Sequence, residues 1–360
     1  MGKEKILSAS RIKTLEGCSW KYWCEYHNNY PESSNPGSAR GTACHLVLEV
    51  LLNERHKKYI NKILKAGTIE VVPSICRLVK KSLTRDGYLN DENYNWCDEW
   101  ILCGLNLDFL GEDIKGEIKE PEKHFVLESK NPKFKIRGYI DKPVEFENGV
   151  KMVDYKTTKE IFPAKEIEYN VQALAYLLAA KELWPDLEKF SLEFQFLKFP
   201  ETPIIEITAT DDELEGFKYY LEHVYAIINN FSEEDAHRNF SKNNPWPKDD
   251  EGFKGPLACG YGKYPGHIKP KTGLPYWVCD HKWAYDYWVL LDEGGKVIKA
   301  VKDEKKLEGL EGIVEKRHYE GCPVHQPDWN LKKQDIAKGK PVADVGDDVG
   351  KAKIVDNFDF

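Results

Sequence analysis

The residues most able to do chemistry lie in the run MVDYKTTK, which carries Asp154 and Lys156, and at the end of the upstream run RGYID, which carries Asp141. On a strand, residues two apart point to the same face, so Asp154 and Lys156 would project side by side. As a surface ion pair they would contribute less than about 1 kcal/mol. Beside a second carboxylate they become part of a hydrolytic centre. Hard cations such as Mg²⁺ or Mn²⁺ take oxygen ligands, often one or two carboxylates with retained water. Asp141, Asp154 and the backbone carbonyl of Tyr155 can supply such oxygens. A cation held there can activate water and stabilise a phosphodiester transition state. Lys156 can orient that water or neutralise developing charge.

Two further pairs share helix faces. His45 and Glu49 stand four apart, as do Gln172 and Tyr176. Alone, each has a plain structural reading: a satisfied histidine, or ordinary helix residues. Glu49 reads equally as a supporting acid or as a surface residue.

The elements that would position these residues follow from periodicity. ILSASRIKTLEGCSWKYWCEYH has a Ser cap and a helical apolar face. A Pro/Gly/Ser-rich loop leads to a second helix in TACHLVLEVLLNERHKKYINKIL, and residues 70–118 keep a helical pattern. The period then falls to two. KHFVLES, FKIRGYID, PVEFENG and VKMVDYKT read as successive strands, with Asn148-Gly149 as a hairpin signal. PAKEIEYNVQALAYLLAAKEL reads as a helix opened by Pro163, KFSLEFQFLKF as a strand, and DDELEGFKYYLEHVYAIINNF as a helix. The expected fold is α/β, a mixed central sheet flanked by helices, with a helical insertion at about 50–118. After residue 240 the periodicity fades into an irregular segment, 241–337, and residues 338–360 read as an acidic tail.

GYID, then VDYKTT, then Q-x-x-x-Y resembles the PD-(D/E)xK nuclease superfamily. Together with SASRI (8–12) and GTACH (41–45), the likeness is strongest to its RecB-type exonuclease branch. It spans roughly residues 8–200 with the motifs in order. The resemblance implies a restriction-endonuclease-like core over residues 1–240. It implies Asp141, Asp154 and His45 as metal ligands, Lys156 as catalytic, and Gln172 and Tyr176 as shaping the site or touching DNA. The expected activity is metal-dependent DNA cleavage, as an exonuclease in recombination, repair or phage DNA metabolism. Other classes stay open: a nucleic-acid-binding module with a silent centre, or an interaction protein organised by zinc.

The nine cysteines of this chain suggest metal rather than disulfides in a reducing cell. Some RecB-type nucleases staple the first helix to the C-terminal segment with a [4Fe–4S] cluster. By that resemblance Cys18, Cys259, Cys279 and Cys322 would be its ligands, although the family's tight C-x-x-C spacing is missing. CDH and CPVH offer a rival Cys₂His₂ zinc set of Cys279, His281, Cys322 and His325. Free thiols are the third possibility. Cys44, Cys76, Cys97 and Cys103 read as small core residues.

Bulk properties narrow the partners. The 360 residues carry a formal net charge of −8, which argues against coating nucleic acid by charge alone. DNA remains the expected partner. No P-loop signature is present, so any unwinding partner is expected to be a separate chain; a separate helicase, recombinase or single-strand-binding protein is a further expected partner. No apolar run has membrane-spanning length, and the N-terminus has no long apolar stretch of the secretory kind. A cytoplasmic protein is expected. The tail, ending NFDF, reads as solvated chain and also resembles acidic, aromatic-tipped tails of single-stranded-DNA-binding proteins.

Overall fold

The computed structural model describes residues 5–241 except 34, 159, 164, 165, 168 and 202, and also residues 259 and 278–325. The acidic tail and most of segment 241–277 lie outside the described residues. Those described fall into two compact units. One is drawn from residues 1–12 and 34–230, the other from 13–33 and 231–360. The chain opens with α1 (Ala9–Gly17), α2 (Ser19–Tyr22) and a π-helical turn (Trp23–His27).

In the first unit, Asn35 starts α3 (Pro36–Leu52) by accepting a hydrogen bond from the Ser38 amide at 3.0 Å, with Pro36 preset for the first turn. Four shorter helices follow: α4 (Glu54–Lys57), α5 (Ile60–Ala66), α6 (Pro73–Asp86) and α7 (Asp91–Leu105). Val47, Leu48 and Leu51 of α3 pack with Val79, Leu83 and Ile101 in one apolar core. Each such fully buried side chain contributes roughly 1.5–3 kcal/mol. That core is what fixes α3, and with it His45.

The strands follow: β1 (Glu117–Ile118), β2 (Lys123–Lys130), β3 (Lys133–Ile140), β4 (Lys142–Phe146), β5 (Gly149–Lys156), β6 (Lys189–Phe196) and β7 (Ile204–Ile207). A mixed sheet runs β1-β4-β5-β6-β7, while β2 and β3 pair as a separate hairpin. Only β5 and β6 are parallel in the mixed sheet. Their connection carries α8 (Val171–Leu183), as a parallel crossover requires. The four expected strands therefore form, with the β4–β5 turn at residues 147–148 and Gly149 already in β5.

The start of α8 differs from expectation. Asn170, not Pro163, opens it, because its side chain accepts the Ala173 amide at 3.0 Å and satisfies a free helical N–H. Helix α9 (Asp211–Asn229) begins with a reciprocal Thr210–Glu213 capping box.

In the second unit, α10 (Glu233–Ala236) precedes an antiparallel sheet of β8 (Tyr285–Leu291), β9 (Val297–Val301) and β10 (Ile313–Tyr319), in the order β10-β8-β9. These strands fall where no regular pattern was expected. Tyr287, Val289 and Leu291 pack with Cys24 and Tyr319 on one side of β8, and Leu290 packs with Val301 and Leu307 on the other. With both faces apolar, the period of two disappears from the sequence. Among the described residues no helix is long and apolar enough to cross a membrane.

Candidate active site

The sheet brings the sequence-predicted carboxylates together through register. Lys142 of β4 pairs with Val153 of β5, so Asp141, at the corner between β3 and β4, lies beside Asp154 and Tyr155. The Tyr155 amide donates to Asp141 Oδ2 at 2.9 Å. It is thus the N–H of Tyr155 that meets Asp141.

Asp154 and Lys156 do share a face of β5. Lys156 Nζ lies 2.6 Å from Asp154 Oδ2, and Gln172 of α8 bridges both. Gln172 Nε2 donates to Asp154 Oδ1 at 2.6 Å, while its Oε1 accepts from Lys156 Nζ at 2.7 Å. Tyr176 completes the chain: its hydroxyl lies 3.0 Å from Gln172 Nε2 and donates to the Tyr139 carbonyl. Asp154 is buried, and this burial raises its carboxyl from the ordinary range, with Lys156 opposing and Asp141 reinforcing the rise.

His45 reaches the same place from α3. Its Nδ1 is 3.3 Å from Asp141 Oδ2. Burial disfavours the charged imidazole, but the Asp141 hydrogen bond and the carboxylate charges outweigh it and raise His45 to about 9. Glu122 joins them: one ligand atom from each of His45, Glu122 and Asp141 lies within 4.8 Å of the others. Desolvation, with the charges of Asp141 and Glu49, raises Glu122 to about 7. Carboxyls crowded until their pKa values rise, beside a histidine, form a donor set that a divalent cation would relieve. A cation of that kind fits the residues present.

Two glycines stand where these elements approach one another. A Cβ on Gly41 would sit 2.8 Å from Thr157 Oγ1, just beyond β5, so a larger residue there would push the Thr157 side chain aside. A Cβ on Gly138 would lie 2.6 Å from the Phe125 ring and 3.2 Å from that of Tyr176.

The model of the PD-(D/E)XK nuclease superfamily matches residues 6–261. The chain belongs to this superfamily. Two solved structures are similar. A Eubacterium rectale protein described as a candidate exonuclease is 13% identical, with a TM-score of 0.39 over 68% of this chain and 91% of its own. SSO0001 is 16% identical, with a TM-score of 0.25 over 60% of this chain and 87% of its own. No curated protein matches.

For a PD-(D/E)XK chain, the surprise is Glu122, which the motifs do not include. It lies in the turn before β2, at φ +50°, and its amide donates to the Asp141 carbonyl at 3.0 Å. The only signal in the sequence was an acid at the end of a charged loop next to a strand. Glu49 is exposed and acts on the site through its charge on Glu122.

The cysteines singled out lie in the second unit. Cys18 Sγ accepts the Lys21 amide at 3.5 Å, and the Cys279 amide donates to the Cys259 carbonyl at 3.3 Å. Burial pushes the Cys279 and Cys322 thiols up to about 12; Cys18 and Cys259 reinforce both, and Cys279 adds to Cys322. Cys24 is affected in the same way by Cys18, Cys279 and Cys322. Among the described residues no three of these thiols lie mutually within 4.8 Å, and neither do any three of the Cys279, His281, Cys322 and His325 ligand atoms. The rival zinc set is therefore not assembled. His325 Nε2 is 3.2 Å from Cys259 Sγ, and His281 Nε2 faces Glu25. Cys24, not singled out by sequence, is buried beside the Tyr319 hydroxyl at 3.5 Å. Cys44 and Cys97 are buried in the first core and Cys76 packs against it, while Cys103 is half-buried.

Proposed function

We propose that the chain is a Mg²⁺- or Mn²⁺-dependent DNA nuclease working from DNA ends. The observation that carries this reading is the closed network Lys156–Asp154–Gln172–Tyr176 set against Asp141, His45 and Glu122. Asp141, Asp154 and His45, with the Tyr155 carbonyl, would hold the cation, and Glu122 stands beside them. When bound, the cation supplies Lewis acidity and a more acidic water. Lys156 places its ammonium where negative charge grows on the phosphate being attacked. Gln172 holds both Asp154 and Lys156 in one geometry, and Tyr176 fixes Gln172 through the backbone of β3. The phosphodiester bond breaks as water adds to phosphorus and the sugar oxygen leaves with a proton.

DNA is the proposed substrate, in recombination, repair or phage DNA metabolism in the cytoplasm. A separate helicase, recombinase or single-strand-binding protein is the proposed partner. The test is digestion of end-labelled linear and closed circular DNA with Mg²⁺, Mn²⁺ or chelator. Release of labelled mononucleotides or short fragments from linear DNA alone, abolished by chelator, supports the reading. Cleavage of the circle would make it an endonuclease, and metal-independent cleavage would remove the proposed site.

The second part of the reading is a [4Fe–4S] cluster on Cys18, Cys259, Cys279 and Cys322. Cys18, Cys259, Cys279 and Cys322 all lie in the second unit with no three thiols within 4.8 Å of one another, a spacing that favours a cluster over a single zinc ion. Thiols held protonated by burial would need a strongly charged group to become thiolates. Protein purified without oxygen should be brown and contain about four irons and four sulfides per chain, as that cluster type requires. Colourless protein containing zinc would reject it.

A further inference from the structure

The second unit holds a cluster that neither the nuclease motifs nor the cysteines absorb. One ligand atom from each of Glu25, Glu32 and His281 lies within 4.8 Å of the others. Glu25 is presented by the π-helical turn Trp23–His27, a rare geometry found frequently at functional sites. His281 is fully buried, and its Nε2 has no hydrogen-bond partner. Glu25 Oε1 is also buried, and its near neighbour is the Lys21 ammonium at 3.3 Å. Glu25 Oε1 and His281 Nε2 face each other at 3.8 Å, too far for a direct hydrogen bond.

The other ring nitrogen of His281 decides which way the imidazole acts. Nδ1 lies 3.1 Å from the Tyr285 hydroxyl, and that hydroxyl donates its own proton to the Pro31 carbonyl at 3.4 Å. The hydroxyl oxygen therefore accepts from Nδ1–H, which leaves the Nε2 lone pair aimed at a carboxylate. Two electron-rich atoms opposed in a buried place call for an electrophile between them. A histidine whose second nitrogen donates to a fixed partner is the usual form of a metal ligand. Lys21 Nζ pairs with Glu25 Oε1 at 3.3 Å, so an ion would share or displace that contact, while His281 Nε2 is the atom left without a donor. Glu32 is exposed and gives an ion a way in.

We propose that Glu25, Glu32 and His281 bind a borderline divalent cation of the Zn²⁺ class, separately from the nuclease centre and the cysteines. One imidazole with two carboxylates suits such an ion, whereas Mg²⁺ prefers oxygen throughout. The bound ion clamps the segment after the π-helical turn to the approach to β8.

The probe is Co²⁺ alone, titrated into the full chain with any cysteine-held group left in place. Wild type is compared with Glu32→Gln and with the shape-preserving Glu25→Gln. Bound cobalt is counted after dialysis and its visible spectrum recorded. Wild type should hold one more Co²⁺ than either variant, or hold it at least tenfold more tightly. The extra ion should show ligand-field bands without a thiolate charge-transfer band. Because Glu32 is exposed, Glu32→Gln should melt like wild type in chelator and cleave DNA normally in Mg²⁺. Wild-type cobalt uptake by either variant overturns the site, and so does a thiolate band on the extra ion.

Discussion

The proposed nuclease centre of the first unit and the Glu25–His281 pair of the second both bury a carboxylate beside a lysine, but they differ in what else holds it. At the nuclease centre Asp154 meets Gln172 through Oδ1 at 2.6 Å and Lys156 through Oδ2 at 2.6 Å. The ligand-bearing strands are fixed by pairing, and α3 is fixed by its core. In the second unit Glu25 Oε1 pairs with Lys21 at 3.3 Å, while His281 Nε2, 3.8 Å from that oxygen, has no hydrogen-bond partner. A buried polar group without a partner loses roughly 1–3 kcal/mol. The difference separates a carboxylate held by two side-chain partners from an imidazole nitrogen with none, the atom on which the proposed cation site rests.

The sharpest way to break this comparison is to remove the charges of the first site. Asp154→Ala and Lys156→Ala should each lower turnover on labelled linear DNA by about 10²–10³-fold or more, on the scale of losing one preorganised stabilising group. Circular dichroism and melting should show both variants folded. Wild-type turnover by either folded variant would sink the assignment.

A gentler cut tests whether Gln172 acts by positioning. It touches Asp154, Lys156 and Tyr176 together. Gln172→Ala leaves the charges but frees them to move, and a displacement of about 1 Å can cost on the order of 10²-fold. The fall should appear in kcat more than in KM, and Gln172→Glu should restore little, because it removes the amide donor to Asp154. Equal loss in KM would instead place Gln172 in DNA binding.

The same contrast explains what could be read from sequence. Asp154, Lys156, His45, Gln172 and Tyr176 sit on regular elements, so spacing alone put pairs of them on shared faces, while Asp141 stands at the corner between β3 and β4. Their convergence in space then followed from strand order. Glu122 and Glu25 sit on a turn and a π-helical turn, where spacing carries no such rule. The strands of the second unit escaped for a different reason: β8 is apolar on both faces. The Cys₂His₂ ligand atoms are not gathered among the described residues, because adjacency in sequence, Cys279 with His281, does not make two side chains point the same way. His281 turns instead to Glu25 and Tyr285.

The third prediction moves to stability. If Cys18 joins Cys259, Cys279 and Cys322 around a cluster, Cys18→Ala opens a cross-link between residues far apart in sequence. The unfolded chain regains the entropy the link withheld. A loss of about 2 kcal/mol would lower the melting temperature by roughly 4–8 °C for a unit of this size. Brown colour should fade in parallel, while Mg²⁺-dependent cleavage measured well below the transition persists. Unchanged colour with an unchanged melting point would leave Cys18 outside any cluster.

The smallest effect should come from a buried charge that belongs to neither kind of site. Lys142 is only 1% exposed, one residue from Asp141. Its ammonium donates to the Phe109 carbonyl at 3.2 Å and lies over the Phe109 ring at 5.2 Å. Burial pushes it down to about 8, with Glu193 opposing that fall. Glu193 does not depend on it, because Lys151 lies 3.2 Å from one of its oxygens and Gln195 donates to the other at 2.6 Å. Lys142→Met keeps the length and packing of the side chain and removes the desolvation of a charge. Replacing a buried charge with an apolar side chain of similar volume is often neutral or stabilising, provided no partner is stranded. Stability to urea should therefore change by less than about 1 kcal/mol, with a rise more expected than a fall. DNA cleavage should stay within a few-fold of wild type, because Lys142 makes no contact with Asp154, Lys156 or Gln172 among its hydrogen bonds and ring contacts. A large loss of stability would mean that Lys142 holds the Asp108–Phe109 turn in place through its charge. Lost activity in a stable variant would instead tie that ammonium to the nuclease centre beside it.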